Sequence, residues 1–406
     1  MLYPKRKDIL FPNNAVSGTG AQTISFTIRQ EKRRLEAVTV RLRVSTASTA
    51  WTGGAWGGLA GLVKEIRIAI NDGPAGGGSR NMVQISGIAA LAWIQQQGLV
   101  LDRQTQACYG SGSGAALATS TTYELCYYVP LKHPGIQEPL SNVFSLPLSS
   151  TYLGGDVTVQ VDLYDATIAN TVIFGNTASS QPTYASVNPI TIQTHLAEIP
   201  DNFPYLRSEL RTDQGWAPLA TSNATYEFTS GGFLTGVLMQ GLSGDLGTSS
   251  SSAVTRTTNF TGYVGATGSP TPLLSSGGQI RLEYGREVLF KTDESYMQSI
   301  NDLSRANLYP IEPLSVASSG SKLDTHTFMG EVFFDWLSEL VTQDSFSLAS
   351  CLNLNTDALG GDKFRVVFND LAASTRRCHF TYHKILSPLS VVTDVIGKAS
   401  KLGITA

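Results

Sequence analysis

Thr23-Ile24-Ser25-Phe26-Thr27 returns half a chain later as Thr225-Tyr226-Glu227-Phe228-Thr229. Both stretches alternate apolar and polar residues with a period of two, the mark of a strand with one buried face. Working outward, Ile66-Arg67-Ile68 is echoed by Ile280-Arg281-Leu282, and Phe144-Ser145-Leu146 by Phe346-Ser347-Leu348. Leu153-Gly154-Gly155-Asp156 returns as Leu359-Gly360-Gly361-Asp362, and Ile192-Gln193-Thr194-His195 as Phe380-Thr381-Tyr382-His383. Any one four-residue match is a common coincidence. Five matches in the same order in both halves read as two copies of one β-domain, each of about 170–190 residues. After the Leu-Gly-Gly-Asp match the alternation slips by one residue, which a bulge or a single insertion accounts for.

In the first copy, strands are expected near 21–29, 36–45, 62–70, 122–129, 143–148, 156–164, 171–174 and 190–197. Val38, Val40, Leu42 and Val44 alternate with Thr39, Arg41 and Arg43, as Val157, Val159, Val161 and Leu163 do with Thr158, Gln160 and Asp162. One polar face means half-exposed antiparallel strands. Eight strands with long, uneven connections suit a jelly roll, and no propeller-like period of about 40–50 residues is visible. Helical spacing predicts helices over 81–97, stopped by Gly98, and over 293–307, opened by Asp293.

The fold class that follows is all-β: two tandem eight-stranded jelly-roll β-barrels with a few short helices in loops and at the C-terminus. The expected domains are an N-terminal arm (1–20), a first jelly roll (21–203), a linker (204–220), a second jelly roll (221–387) and a C-terminal tail helix (388–406). The connection between the copies carries Phe203, Tyr205 and Trp216, aromatics expected to pack at the domain junction. In the tail, Val391, Val392, Val395, Ile396 and Leu402 form an apolar side opposite Asp394, Lys398 and Lys401. Such a helix, outside the closed core, needs another surface to cover.

Composition agrees. Of 406 residues, only 15% are charged, against about 25% in ordinary globular proteins. With 39 Gly and 17 Pro, this excludes a coiled coil, a helical repeat and a highly charged disordered chain. Hydrophobic residues at 42% supply a real core. No apolar stretch reaches the roughly 18 residues of a membrane span, and no signal core follows the basic start. Cys108, Cys126, Cys351 and Cys378 lack CxxC spacing and are expected to be free thiols, so the sequons at Asn223 and Asn259 are expected to stay bare. The net charge of −3 is uneven: residues 1–43 hold nine basic side chains against Asp8, Glu31 and Glu36. Lys5-Arg6-Lys7 reads either as an arm for anionic headgroups or nucleic acid, or as a solvated terminus; Lys32-Arg33-Arg34 reads as a charged turn.

Catalytic signatures are missing. There is no Gly-x-Ser-x-Gly elbow, no His-Glu-x-x-His, no dinucleotide fingerprint and no P-loop. Gly110-Ser111-Gly112-Ser113-Gly114 reads as a loop. His379 and His383 share a strand face but announce no third zinc ligand, so they read as strand histidines. The pairs Asp335/Glu339 and Glu283/Glu287 read as solvated acids rather than a glycosidase pair. The expectation is no enzyme, no metal and no cofactor.

Two tandem rolls, a short basic N-terminal arm, an aromatic linker and a C-terminal tail resemble the double jelly-roll major capsid proteins of tailless icosahedral double-stranded DNA viruses, especially bacteriophages with an internal membrane. The resemblance spans about residues 21–387 and is architectural. It implies homotrimers of pseudo-hexagonal outline in an icosahedral shell, with strands perpendicular to the surface and loops such as 244–279 outward. Implied partners are the chain itself, neighbouring capsomers, and penton or minor capsid proteins. Inner membrane lipid headgroups are also implied, through candidate inner-face contacts Lys5, Arg6, Lys7, Lys398 and Lys401, with no specific nucleic-acid sequence. The implied location is the virion capsid, assembled in the host cytoplasm. An alternative is a tandem β-sandwich that binds or cleaves carbohydrate, stacking sugars on Trp51, Trp56 or Trp336; another is a viral spike or minor capsid protein.

Overall fold

The computed structural model describes residues 3–14, 16, 20–48, 58–72, 78–97, 99, 101–110, 118–132, 140–165, 182–186, 188–213, 224–242, 274–285, 287–292, 314–315, 322–323, 331–335, 351–354, 363–371 and 377–387. The first half contains β1 (Lys5–Leu10), β2 (Gln22–Ile28), β3 (Arg34–Ser45), β4 (Val63–Asn71), β5 (Ser79–Ile85), α1 (Gly87–Gln96), α2 (Arg103–Gly110), β6 (Thr122–Pro130), β7 (Leu146–Pro147), β8 (Val157–Leu163), β9 (Thr183–Tyr184) and β10 (Ile190–Ala197). The second contains β11 (Ser208–Asp213), β12 (Ala224–Glu227), β13 (Phe233–Leu242), β14 (Leu274–Tyr284), β15 (Glu287–Thr292), β16 (Leu314–Ser315), β17 (Lys322–Leu323), β18 (Glu331–Asp335), β19 (Leu352–Asn353), β20 (Phe364–Leu371) and β21 (Arg377–Ile385).

Each half is a sandwich of two sheets. The first roll sets β1-β10-β3-β6 against β5-β4-β8-β2; the second sets β11-β21-β13-β18 against β12-β20-β14-β15. Apolar residues at every second position fill the interiors. Ile24, Phe26, Val38, Val40, Ile66, Ile68, Val159 and Val161 are fully buried in the first, as are Phe368 and Phe380 in the second. The alternation seen in the sequence is therefore the inward face of each strand.

The duplication extends to strand pairing, although across the middle strand Ile24 lies level with Ile66 in the first roll and its match Tyr226 with Leu282, two residues on, in the second. β2 pairs β8 as β12 pairs β20, β4 bridges β8 and β5 as β14 bridges β20 and β15, and β3 holds β10 and β6 as β13 holds β21 and β18. Bulges repeat too. The β3–β10 register shifts beside His195, leaving Glu36 unmatched, and the β13–β21 register shifts beside His383, leaving Thr235 unmatched. The β4–β5 ladder shifts after Ile68 and the β14–β15 ladder after Leu282, the matched residue. Bulges at equivalent places are not a consequence of hydrophobic patterning alone, and they agree with two copies of one domain. Asp156 leads directly into β8, whereas Lys363 intervenes before β20, which is the one-residue slip.

Several expectations need correction. The predicted helix 81–97 is two elements: Ser79–Ile85 is strand β5, and helix α1 begins at Gly87, with the Ser86 hydroxyl accepting from Ala89 N at 3.1 Å. A Cβ on Gly87 would lie 2.6 Å from Val63 O, so only glycine allows this strand-to-helix corner. Segment 143–148 is a 3-10 turn (Leu140–Phe144) followed by the short β7. Leu146 pairs with Leu35 and Leu352 pairs with Leu234, so the partner of Leu146 in the second copy is Leu352, not Leu348. Lys5–Leu10, expected in an arm, and Ser208–Asp213, expected in the linker, are strands. Segments 171–174, 293–307 and 388–406 lie outside the described residues.

Candidate functional site

Among the described residues no cluster of catalytic groups stands out; the most built region is the junction of the two rolls. Strand β11 lies in the middle of a nine-stranded sheet, antiparallel to β21 on one edge and parallel to β5 of the first roll on the other. Leu210 registers with Val83, and Arg211 with Gln84. One sheet therefore runs without a break from the first roll into the second.

Side chains lock this seam. Asp72, its side chain 8% exposed, accepts from Arg80 Nε and Arg207 Nη2, both at 2.6 Å. Arg80 Nη1 also donates to the Ser208 carbonyl at 3.0 Å. Two guanidinium groups on one largely buried carboxylate make charge-assisted bonds that are shielded from salt. Above the sheet, Trp93 of α1 meets Phe333 of β18 edge-on at 5.1 Å and crosses Gly236, where a Cβ would stand 3.4 Å from its ring. Leu210, Leu238 and Phe333 thus belong to the first roll's core although they come from the second half. Helix α1 is apolar on nearly all sides because it packs into the first roll against β4 and β6 and meets β18 of the second through Trp93.

At one end of the seam, Phe203 is buried with Val143, Phe144, Ala197 and Ile199 of the first half and Phe233, Cys351 and Ile385 of the second. Arg34, expected in a solvated turn, is fully buried instead. It donates to the carbonyls of Phe203 and Pro204 and sits over the Phe203 ring at 5.5 Å. Burial lowers its pKa to about 10, so it stays charged at neutral pH. Tyr205 packs edge-on against Tyr152 at 6.2 Å. Trp216, like Trp51, Trp56, Trp336, Lys398 and Lys401, lies outside the described residues.

The basic candidates Lys5, Arg6 and Lys7 all lie on β1. Lys5 pairs with the bulge residue Glu36, which Lys132 also approaches at 3.3 Å. Arg6 pairs with Asp8 at 2.8 Å, and Lys7 is exposed opposite His195. His195 Nε2 lies 2.8 Å from Thr39 Oγ1, and its pKa falls to about 4, first through burial and then through the nearby Lys7 charge. His383 in the other roll makes the same kind of bond, Nδ1 to Thr235 Oγ1 at 2.5 Å. His379 is buried on the same strand face. No three His, Cys, Asp or Glu side chains gather into a metal cluster among the described residues. Glu283 is held by Arg365 at 3.2 Å and Arg281 at 3.5 Å, as a structural ion-pair partner. The four cysteines form no disulfide, and three of them are buried. No helix among the described residues is long and apolar enough to cross a membrane.

Sequence reasoning missed Arg34, Asp72 and Trp93. Arg34 was hidden in a run of charge, and nothing local distinguishes it from Arg33, which pairs at the surface with Glu31. Both halves of the Asp72 cluster depend on the seam, which no local pattern announces.

No family model and no curated protein matches the sequence. Solved structures do match. The major capsid protein of bacteriophage PM2 aligns over 95% of this chain and 99% of its own, with a TM-score of 0.50 and 7% identity. A chain of the Sulfolobus Turreted Icosahedral Virus atomic structure aligns over 98% of both, with a TM-score of 0.53 and 10% identity. A chain of the PBCV-1 virus capsid aligns over 94% of this chain and 93% of its own, with a TM-score of 0.53 and 10% identity. At such identities the likeness is one of fold: the chain has the double jelly-roll fold along nearly its whole length.

Proposed function

We propose that the chain is a major capsid protein that assembles as pseudo-hexagonal homotrimers into an icosahedral virion shell. The observation that carries this reading is the repeated strand pairing of the two rolls, fused edge to edge through β11. Two similar rolls joined in this way make three copies of the chain equivalent to a ring of six similar lobes, the closed arrangement that a cyclic trimer requires. Agreement in fold over nearly the whole length with the capsid protein of bacteriophage PM2 supports the same role. The work is done by burial of subunit surface, about 800 Å² per partner or more for a stable contact, and involves no chemical step. Penton and minor capsid proteins are the further partners, the virion capsid is the location and the host cytoplasm the place of assembly.

Within this reading the division 1–20, 21–203, 204–220, 221–387 and 388–406 is amended at two places, since β1 joins the first roll and β11 the second, and the Phe203, Tyr205 and Trp216 aromatics belong to the junction. The inner face carries Lys5, Arg6, Lys7, Lys398 and Lys401 toward anionic headgroups. Lys5 and Arg6 already hold carboxylates and Lys7 lies on the β1 edge, so Lys398 and Lys401 supply most of the attraction, about 1 kcal/mol per basic group. Flotation with anionic but not with neutral vesicles is expected; equal flotation with both removes this contact.

Native mass spectrometry at micromolar concentration tests the main reading. It is expected to give three chains per particle. A monomer as the sole species contradicts it.

A further inference from the structure

The two rolls differ at their leading strands. β1 opens the first roll and β11 the second, and they are equivalent: Lys7 pairs with His195, and Leu210 pairs with His383, the matched histidine. β11 has partners on both edges. β1 has β10 on one edge and, among the described residues, no strand on the other. The reverse holds for the acceptor strand. β5 is covered by β11, but β15, its equivalent in the second roll, ends its sheet with no strand beyond it among the described residues. The chain thus presents one open copy of each half of the junction that it builds internally.

The exposed apolar surface falls on these two edges. Among the described residues, the large hydrophobic side chains that stand exposed are Ile9 (49%) and Phe11 (59%), on and just after β1, and Val288 (50%) and Leu289 (46%) on β15. Leu289 occupies the bulge position that Met82 holds in β5, where Met82 is 1% exposed. Open edges with exposed apolar side chains are templates for pairing with another chain.

We propose that β1 of one subunit docks in parallel on β15 of the next, repeating between chains the β11–β5 seam found within one chain. The inference rests on the trimer reading above for the identity of the partner, a second copy of this chain. The register follows from the equivalences. Val83 and Phe290 pair with the matched residues Ile68 and Leu282, and Gln84 and Lys291 with Arg67 and Arg281. Leu210 on Val83 therefore becomes Lys7 on Phe290, and Arg211 on Gln84 becomes Asp8 on Lys291. Asp8 meets an opposite charge, and Glu287 comes to the basic end of β1, since it stands where Arg80 reaches the β11 backbone. Lys7 replaces the buried Leu210, so this seam is more polar at its centre than the internal one, and Ile9, Phe11, Val288 and Leu289 supply its apolar part. Because the two ends of the contact differ, it is head-to-tail, and a head-to-tail contact that closes makes a ring. Each subunit has one open edge of each kind, so none is left over in a closed ring.

Paired cysteines test this. Neighbouring strands lie about 4.8 Å apart, within the Cα range that a disulfide spans. The Asp8→Cys/Lys291→Cys double variant, oxidised mildly, is expected to give two- and three-chain species on non-reducing gels, absent from the parent and from each single variant. Asp8→Lys is expected to weaken the trimer at least tenfold by native mass spectrometry, and Lys291→Asp to restore it in the double variant, which also shows that the fold is intact. Trimers that persist without any cross-link overturn this seam and leave the capsid reading standing. Cross-linking of Asp8→Cys alone overturns it in favour of β1 pairing with itself. A protein that stays monomeric removes both.

Discussion

The two leading strands hold the same place in the same fold, yet one reads Lys5-Arg6-Lys7-Asp8-Ile9-Leu10 and the other Ser208-Glu209-Leu210-Arg211-Thr212-Asp213. In β11, Ser208, Leu210 and Thr212 are buried; in β1 the corresponding Lys5, Lys7 and Ile9 are exposed. The difference is not one of strand propensity, since both pair along their length with the last strand of their roll. It is a difference of neighbourhood: β11 is paired with β5 and sends Leu210 into the first roll's core, while β1 faces outward. A duplicated domain diverges where its two copies meet different surroundings. The places of divergence therefore mark interfaces better than the places of agreement.

The largest expected effect comes from breaking the seam that β11 enjoys and β1 lacks. Trp93→Ala removes the ring that meets Phe333 across the rolls and should cost about 3–5 kcal/mol. Chemical denaturation should then separate into two transitions as the rolls uncouple; a single transition with unchanged midpoint would show that Trp93 does not join them. Next is Arg34→Met, which leaves the buried carbonyls of Phe203 and Pro204 without their donor. A loss of about 2–3 kcal/mol is expected, with little change if the segment instead relaxes toward water.

The smallest effect sharpens the comparison of the matched histidines. The folded pKa of His195, about 4, lies below its ordinary 6.5, so the folded protein holds the ring neutral while the unfolded chain takes up a proton. The stability it contributes is complete above about pH 6.5 and is lost as the pH falls toward 4. Carboxylates titrate near the lower end of that range, so the measurement is a difference. Thermal midpoints of the parent and of His195→Gln should converge as the pH drops from 6.5 to 4; a constant gap would mean that the ring does not titrate there.

Much of the fold was legible in the sequence, for a physical reason. Strands β2, β3, β4, β8 and β10 each bury one face and wet the other, so their alternation is plain. The order of weak matches revealed the duplication because equivalent cores keep equivalent residues. Helix α1 merged with β5 because a helix buried on all sides has no polar face to set its period. β1 and β11 were not legible because four charges in a row open β1 and charges occupy every second position of β11, and what decides their structure is a partner far away in sequence. The same holds for the candidate site. Phe203 stood out as an aromatic in a proline-rich connection, whereas Arg34, Asp72 and Trp93 acquire their roles only when the rolls meet.

Electron microscopy of the purified protein at micromolar concentration tests the central claim most directly. Particles of hexagonal outline, with six lobes contributed by three chains, are the result that two equivalent rolls and their matched open edges predict. Isolated two-lobed particles at every concentration would contradict it.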